Sequence, residues 1–258
     1  MARKHCVATG IILLSLCCLM SCGLEPSYVL DYVPDSSVYM TDISATIRLP
    51  SGTAEGYDNY FTHFVIFYRI YISGIDFAGI VVTGENRSSI NPTLNSDFNS
   101  IYPNTDKTST TVNTSNLESY FFGRRYYRLT LQGADINSVL SGGSLGNVME
   151  IFFPTSGTER PRLSIGGGTY TMRRAVDGPG ISFRPLPEDR YFLNHPDLYS
   201  STNATNEINA DVATRTQTDP ASRYTYVSMY IVAVGKDYLT TMYSQPTYLG
   251  TFKLADAP

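Results

Sequence analysis

Apolar and polar side chains alternate along several segments of this chain, which is the pattern of β-strands. In residues 39–49, apolar Ile47 lies between polar Thr46 and Arg48, and this period of two predicts a half-buried strand. In residues 61–73 both alternating faces are apolar, which predicts a central strand covered on both sides. Further strands are predicted at residues 78–83, 125–132, 148–153, 169–173, 224–236 and 247–254. Pro, Gly, Asn and Asp separate these segments, so the sequence predicts an all-β fold, an antiparallel β-sandwich.

Helical patterns are scarce, and only residues 134–140 are expected to form one or two helical turns. Two long polar stretches, residues 84–119 and 194–223, are rich in Asn, Ser and Thr and are expected to be loops inserted into the sandwich. Loops of this length are either mobile insertions at a sheet edge or a rim that recognises a protein or glycan partner. Tyrosines expected in loops would supply contact area on such a rim: Tyr57, Tyr60, Tyr102 and Tyr199.

The composition supports a folded domain and argues against nucleic-acid binding. The chain has 258 residues, of which 42% are hydrophobic, so it can bury a substantial core. It carries 23 Asp and Glu against 19 Lys and Arg, a net charge of -4, without a basic block. An acidic chain of this kind lacks the basic surface that nucleic-acid binding requires. The absence of Trp, together with 20 Tyr, 20 Gly and 14 Pro, favours strands and turns.

The first 22 residues have the three parts of an export signal. Arg3 and Lys4 give a positive start, and residues 7–20 are almost continuously apolar. Small Ser21 then precedes Cys22. The apolar part is shorter than the ~20 residues that a membrane-spanning helix needs, so a cleaved leader is preferred to a permanent anchor helix.

The end of this leader, Leu19-Met20-Ser21-Cys22, resembles the lipobox of bacterial lipoproteins, in a relaxed form similar to that of spirochaete lipoproteins. The resemblance implies that diacylglycerol is attached to the sulfur of Cys22 and that the leader is cut just before it. It divides the chain into a signal peptide at residues 1–21, a lipidated tether at residues 22–27 and a β-sandwich domain at residues 28–258. Acyl chains on Cys22 would anchor the protein in a bacterial membrane, with the domain periplasmic or surface-exposed. Two alternatives are an ordinary signal peptide with an incidental Cys, and an uncleaved amphiphile.

All four cysteines, Cys6, Cys17, Cys18 and Cys22, lie at or before the predicted cut. The mature chain would keep only Cys22, with its sulfur occupied by lipid, which excludes a disulfide, a cysteine metal site and a thiol nucleophile. Loss of the two basic leader residues leaves 17 basic against 23 acidic residues, a charge of -6. That charge would not attract the domain to anionic lipids, so anchoring is assigned to the acyl chains.

A second resemblance concerns the domain itself. Residues 64–71, with aromatic and β-branched side chains alternating around Arg69, resemble the C strand of a fibronectin type III or related immunoglobulin-like domain. Residues 224–236, Ser244-Gln245-Pro246 and residues 247–254 resemble the last two strands and their loop. The resemblance implies an antiparallel sandwich, although the chain has no core Trp and is about twice the ~100 residues usual for such domains.

Residues 142–146, Gly-Gly-Ser-Leu-Gly, match the G-x-S-x-G motif that presents a nucleophilic serine in α/β-hydrolases. Ser144 would then be the nucleophile, His195 its base, and Asp197 or Asp211 the partner of that base. The motif requires a strand before it and a helix after it, whereas here a predicted strand follows. A glycine-rich turn is therefore the preferred interpretation, and an envelope serine hydrolase remains an alternative.

Other chemical patterns are weaker, and no metal or cofactor is predicted. His63 and His195 are distant in sequence, and Glu188-Asp189 lacks the spacing of a calcium loop. The three glycines at 166–168 predict a hairpin turn. Two groups of arginines are expected to pair with acidic side chains across strands: Arg124, Arg125 and Arg128 beside Tyr120, Tyr126 and Tyr127, and then Arg173, Arg174 and Arg184. Three glycan-acceptor triplets begin at Asn86, Asn113 and Asn203 and are attributed to chance in Asn-rich loops.

These features predict an exported, lipid-anchored cell-envelope protein with a non-catalytic binding or structural role. Its partners would be the membrane, through Cys22, and a protein or glycan at the polar loops, but not nucleic acid. The alternatives are the serine hydrolase that uses Ser144, and a sugar- or solute-binding lipoprotein. The last is disfavoured because a two-lobed α/β binding protein needs helices that the sequence does not predict.

Overall fold

Two β-sheets packed face to face dominate the computed structural model of this protein. The residues that it describes are 30–53, 57, 59–73, 75–101, 117–155, 159–175, 212–213, 224–236 and 240–254. Buried apolar side chains from both sheets form the core between them. The predicted all-β sandwich is therefore confirmed.

Six strands form the first sheet: β1 (Val38–Met40), β2 (Ser44–Arg48), β5 (Thr130–Leu131), β6 (Val148–Phe152), β7 (Arg162–Ile165) and β8 (Gly168–Arg173). Their spatial order is β1-β2-β6-β7-β8-β5, and all neighbours are antiparallel. Ile47, Met149 and Ile165 lie side by side across three of these strands and are buried against the second sheet. The alternate residues face away from the core, so this sheet has one buried face and one outer face.

Six strands also form the second sheet: β3 (Phe61–Ser73), β4 (Tyr127–Arg128), β9 (Val212–Ala213), β10 (Tyr224–Lys236), β11 (Thr241–Tyr243) and β12 (Thr247–Leu254). The two 13-residue strands β3 and β10 pair antiparallel along almost their whole length and form its centre. β11 and β12 pair with different parts of the other edge of β10. In the same way, β4 and β9 pair with different parts of the other edge of β3. Among the described pairs, only β3 and β9 are parallel.

The central strand β3 is buried on both faces, as its sequence predicts. The side chains that face the first sheet are Phe64, Ile66, Tyr68 and Ile70. Those that belong to the opposite face include Val65, Phe67 and Tyr71. Strand β10 divides its side chains between the same two clusters. Burial on two faces explains the nearly continuous apolar sequence of both strands.

A third layer, made of helices, covers the side of the second sheet that faces away from the first. It consists of α1 (Gly84–Ile90), α2 (Pro92–Ile101) and α3 (Leu117–Gly123). Phe121 of α3 stacks on Phe67 of β3, with the ring centroids 4.2 Å apart. A shorter helix, α4 (Ile136–Val139), lies within residues 134–140, where helical turns were expected.

The prediction that residues 84–119 form a polar loop is wrong for the part that the structure describes, because residues 84–101 and 117–119 are largely helical. Leu94, Phe98 and Ile101 of α2 are separated by four and three residues, which places them on one side of successive helical turns, and Ile90 ends the preceding helix α1. All four are buried against the second sheet. Asn, Ser and Thr fill the positions between them, so the apolar period is sparse in the sequence.

Three strand predictions also need correction. Residues 39–49 form the β1–β2 hairpin instead of one strand, because Thr41 Oγ1 accepts hydrogen bonds from the N–H groups of Ile43 and Ser44 at the turn. Residues 78–83 form no strand, and residues 125–132 contain two short strands, β4 and β5. Strand β7 has no counterpart among the predicted strands. The second polar stretch, residues 194–223, lies outside the described residues apart from β9.

The predicted signal peptide at residues 1–21 and tether at residues 22–27 lie outside the described residues, so lipidation of Cys22 stays a prediction. The α-helices of the described part contain 4 to 10 residues. None of them is long and apolar enough to cross a membrane.

Candidate functional site

Residues 30–34, which we call the entering segment, build one wall of a pocket at the edge of the sandwich. The apolar residues Leu30 and Val33 of this segment are buried, and the Val33 carbonyl accepts a hydrogen bond of 2.5 Å from Thr247 Oγ1 of β12. The hydroxyl of Tyr57 donates to the backbone carbonyl of Asp31 at 2.7 Å. These contacts fix the backbone of the segment, so the side chains beside them project from a defined position.

The pocket lies beyond the end of β2 and has a volume of about 490 Å³. Its lining residues are Asp31, Tyr32, Pro34, Ser37, Arg48, Leu49, Pro50, Ser51 and Gly146. Beside the pocket, backbone hydrogen bonds join the end of β2 to the turn before β6: the N–H of Gly146 donates to the Pro50 carbonyl at 2.8 Å, and the N–H of Leu49 donates to the Asn147 carbonyl at 3.0 Å. We call this feature the edge pocket.

The lining of the edge pocket combines one carboxylate, one guanidinium and several ring surfaces. Asp31 and Arg48 are both exposed, so each is accessible to a ligand. Tyr32 and the two prolines contribute flat or apolar surfaces. Mostly apolar pockets with a few polar groups, at volumes of roughly 300–1,000 Å³, are typical binding sites for small molecules or single units of a polymer.

Arg48 also belongs to the outer face of the first sheet, and this face adjoins the pocket. Strand register places a row of side chains straight across it: Tyr39, Thr46, Glu150, Ser164 and Thr169. A second row consists of Ser44, Phe152, Arg162 and Thr171. The Arg162 guanidinium lies over the Phe152 ring, 4.4 Å from its centroid. Tyr39 and Val148 of this face are 72% and 53% exposed.

Positive charge is concentrated on this outer face. Its strand residues include Arg48, Arg162 and Arg173 but only one acid, Glu150, so three positive charges and one negative charge give +2. In the described part of the chain, none of these three arginines forms an ion pair. The whole chain carries -4, so the outer face differs in sign from the protein as a whole.

A second polar cluster is buried between the second sheet and the helices, and we call it the Arg69–Asp97 network. Arg69 of β3 donates from a terminal guanidinium nitrogen to Asp97 Oδ2 of α2 at 2.6 Å. The hydroxyl of Tyr71 donates to the same oxygen at 2.6 Å and lies 2.7 Å from the hydroxyl of Tyr126. Burial, and then the neighbouring Tyr126 and Asp97, raise the pKa of Tyr71, so its hydroxyl keeps its proton.

Arg87 of α1 extends this buried region. Its guanidinium lies 3.2 Å from the centroid of the Phe98 ring and 5.1 Å from that of Tyr248 in β12. The Nε atoms of Arg69 and Arg87 and the hydroxyl of Tyr230 are buried and have no hydrogen-bond partner among the described residues. Because these groups come from both the helices and the sheet, we interpret the network as the polar attachment of the helical layer.

Ser144 lies in a 3-10 turn, Gly142–Ser144, that precedes β6. Its side chain is buried, and its Oγ donates to the Ser141 carbonyl at 2.6 Å. Gly146 follows with a φ of 75°, as a glycine-rich turn requires. The turn interpretation of residues 142–146 is therefore confirmed. The partners proposed for Ser144, namely His195, Asp197 and Asp211, lie outside the described residues.

His63 is near the start of β3, where its backbone bridges to Ser141. Its Nδ1 lies 3.0 Å from Thr62 Oγ1, and its Nε2 is buried without a hydrogen-bond partner. Burial, followed by the nearby Arg128, lowers the pKa of His63, although Asp135 opposes the change. Across the described ranges, no group of three His, Cys, Asp or Glu side chains is placed to hold a metal ion. Glu188-Asp189 is not among the described residues.

The remaining sequence candidates have structural explanations where they are described. Gly166 and Gly167 have φ values of 58° and 83° and form the β7–β8 turn, so the predicted hairpin is confirmed. Asn86 accepts a hydrogen bond from the Thr83 N–H at 2.8 Å and caps α1. Tyr57 is buried, so the prediction that it is a loop contact residue is wrong. Some of the predicted positions fall outside the described part: the loop tyrosines Tyr102 and Tyr199, the glycan-acceptor positions Asn113 and Asn203, and Arg184.

The two arginine groups have different surroundings. Arg128 pairs with Glu118 at 2.9 Å, so its partner is acidic as predicted, but it belongs to helix α3 and not to a neighbouring strand. Arg124 instead lies over the ring of Tyr120, 3.6 Å from its centroid. Arg125 is exposed at the end of α3, and Arg174 is buried.

Sequence reasoning did not identify the edge pocket or the Arg69–Asp97 network. A signal for the network was present, because Arg69 stands in a strand whose two faces are otherwise largely apolar. A buried guanidinium requires an anionic partner, and the aspartate at position 97 falls on the same helical side as Leu94 and Ile101.

Comparisons with protein-family models, with curated proteins and with solved structures gave no match to this chain. The resemblances to lipoproteins and to fibronectin type III domains therefore stay predictions.

Proposed function

We propose that this protein is an exported bacterial lipoprotein that is anchored through acyl chains on Cys22 and acts in the cell envelope by binding or scaffolding, without catalysis. The observation that carries the proposal is the leader, in which a positive start, an apolar run and a small residue precede Cys22. Two or more acyl chains are enough for stable membrane attachment.

The described part of the domain begins only a few residues after Cys22. Leu30, the first described residue, is eight residues after Cys22, and eight extended residues span at most ~29 Å. The anchored body therefore remains close to its membrane. The outer face of the first sheet is exposed within the described part, which suits a protein that acts by contact.

The serine hydrolase is the weaker candidate because of the position of Ser144. A nucleophilic serine must present its Oγ to substrate and to a base. Here the Oγ is bonded to the Ser141 carbonyl, and the residue is only 3% exposed. The solute-binding alternative requires two lobes around a cleft, and the described residues form a sandwich with a helical layer instead.

Metabolic labelling with a radioactive fatty acid tests the anchor. We expect the wild-type chain to take up label and Cys22→Ala to take up none. Cys18→Ala is the matched control, because it removes a thiol from the same leader and should leave labelling intact. Label retained by Cys22→Ala would refute the assignment.

A second measurement addresses the role and the location of the domain. Ser144→Ala should leave any hydrolysis of a broad ester panel unchanged, and a loss of activity in a folded variant would favour the hydrolase. Protease treatment of intact cells distinguishes the two predicted locations, since only a surface-exposed domain is degraded without permeabilisation.

A further inference from the structure

The edge pocket and the outer face of the first sheet form one continuous surface, because Arg48 belongs to both. We propose that this surface binds an acidic polysaccharide, a polymer of sugar units that carry carboxylate groups. The inference rests on the proposed function, since it gives the envelope-binding role a ligand class. It moves the recognition surface away from the polar loops, where the sequence suggested it.

The chemistry of the edge pocket fits a single carboxylated sugar unit. The planar guanidinium of Arg48 can donate two parallel hydrogen bonds to one carboxylate. The carboxylate of Asp31 accepts hydrogen bonds from hydroxyl groups, and the flat surface of Tyr32 suits the C–H face of a sugar ring. The volume of about 490 Å³ lies within the range of sites for small ligands.

The arginines of the outer face lie on one diagonal line. Arg48 is level with Val148 of β6, while Arg162 is two strands away and level with Phe152, four residues farther along. Arg173 is one strand and two residues beyond Arg162 in the same direction. With ~4.8 Å between strands and ~3.4 Å per residue, the two intervals are about 17 Å and about 8 Å. A linear polyanion crossing the sheet on this diagonal would meet all three guanidinium groups.

Glu150 is at the midpoint of the longer interval, because register places it one strand and two residues from Arg48. It is the one acidic side chain on the line, and its carboxylate opposes a bound polyanion. Replacement of Glu150 should therefore strengthen the binding of a polyanion, whereas replacement of an arginine should weaken it.

The alternative occupant of a positive flat face is the anionic surface of the membrane. A bilayer surface would meet the arginines, but it could not enter the edge pocket beside Arg48. The polysaccharide accounts for both features together, so we argue for the polysaccharide and use vesicles as a competing probe.

The experiment measures binding of the purified full chain, in detergent, to oligogalacturonate by calorimetry. Uncharged galactan oligomers and phosphatidylglycerol vesicles are the comparison probes. We expect binding to oligogalacturonate alone, weakened by added salt. Arg48→Ala should weaken it about tenfold or more, because the variant loses a charge-assisted hydrogen bond to the carboxylate of the ligand. Glu150→Gln should tighten it.

Two further variants provide a second test of the arginines and a matched charge control. Arg162 is exposed, so Arg162→Ala should fold normally and still weaken binding severalfold. Arg125→Asn removes the same charge from the helical layer and should change nothing, since Asn tolerates the left-handed backbone of that position, φ 58°. Equal affinity for galactan, unchanged affinity of both arginine variants, or capture by vesicles without oligogalacturonate binding would each overturn the inference.

The mass of the purified chain shows whether Cys22 carries lipid. It therefore distinguishes failure of the polysaccharide inference from failure of the proposed function. A lipidated chain that ignores oligogalacturonate refutes the polysaccharide inference alone. A chain that binds oligogalacturonate without lipid on Cys22 refutes the anchor and leaves the surface assignment standing.

Discussion

Replacement of Asp97 by Ala tests whether the Arg69–Asp97 network holds the helical layer on the sheet. The side chains of Arg69 and Asp97 are only 10% and 9% exposed. The Asp97 carboxylate accepts two hydrogen bonds of 2.6 Å, from Arg69 and from Tyr71. Its removal leaves a buried guanidinium without its anion, and breaking a buried pair in this way costs about 3–5 kcal/mol. Domains have about 5–15 kcal/mol of stability in total, so the loss should be large.

Urea unfolding of the full chain, followed by far-UV circular dichroism and tyrosine fluorescence, gives this free energy. Glu118→Ala is the control, because Arg128 and Glu118 are 34% and 32% exposed and such a pair contributes at most about 1 kcal/mol. The double variant Arg69→Met/Asp97→Leu should recover most of the loss, because it removes both charges from the interior. If Asp97→Ala costs no more than Glu118→Ala, the network does not stabilise the layer.

Three further predictions concern single positions. Arg125→Gly should raise the free energy of unfolding by about 1 kcal/mol and the urea midpoint with it, because Arg125 has a φ of 58° that glycine adopts without strain; a lower midpoint would contradict this. Gly235→Ala should cost about 1–3 kcal/mol, since its Cβ would lie 2.9 Å from the Tyr60 carbonyl oxygen, which cannot move aside as a side chain can, whereas Gly143→Ala, with nothing within 4 Å, should be neutral. Burial lowers the pKa of His63 from 6.5, so the unfolded chain binds the proton first. Stability should therefore fall as the pH drops below 6.5, and His63→Gln should reduce that slope.

The sequence predicted the long strands because both of their faces are buried, so most of the residues in them are apolar or aromatic. β3 and β10 have the bounds that alternation indicates, and both are covered on two faces. Helices α1 and α2 of the layer on the second sheet were missed because few of their residues are apolar. In α2, Leu94, Phe98 and Ile101 make the contact with the sheet, and polar residues fill the other positions. One apolar residue per turn is a weak signal until the surface that it covers is known.

The edge pocket could not be predicted, because its walls come from three separate parts of the chain. Asp31 lies in the entering segment, Arg48 ends β2, and Gly146 belongs to the turn before β6. Their proximity depends on the pairing of β2 with β6 and on the hydrogen bond that Thr247 donates to Val33. Alternation did indicate that Arg48 faces outward, but neither composition nor spacing places Asp31 beside it.

The net charge of the chain and the charge of its outer face have different consequences for an anchored protein. If the outer face contributes +2 to a total of -6, the rest of the mature chain carries -8. An anionic bilayer would therefore repel most of the body, and the proposed acyl chains on Cys22 would have to hold it near the membrane. At physiological salt, charges are screened beyond about 8 Å, so a ligand in contact with the outer face responds mainly to its arginines. Repulsion of the body from an anionic bilayer and the proposed local attraction of a polyanion to the arginines are therefore compatible.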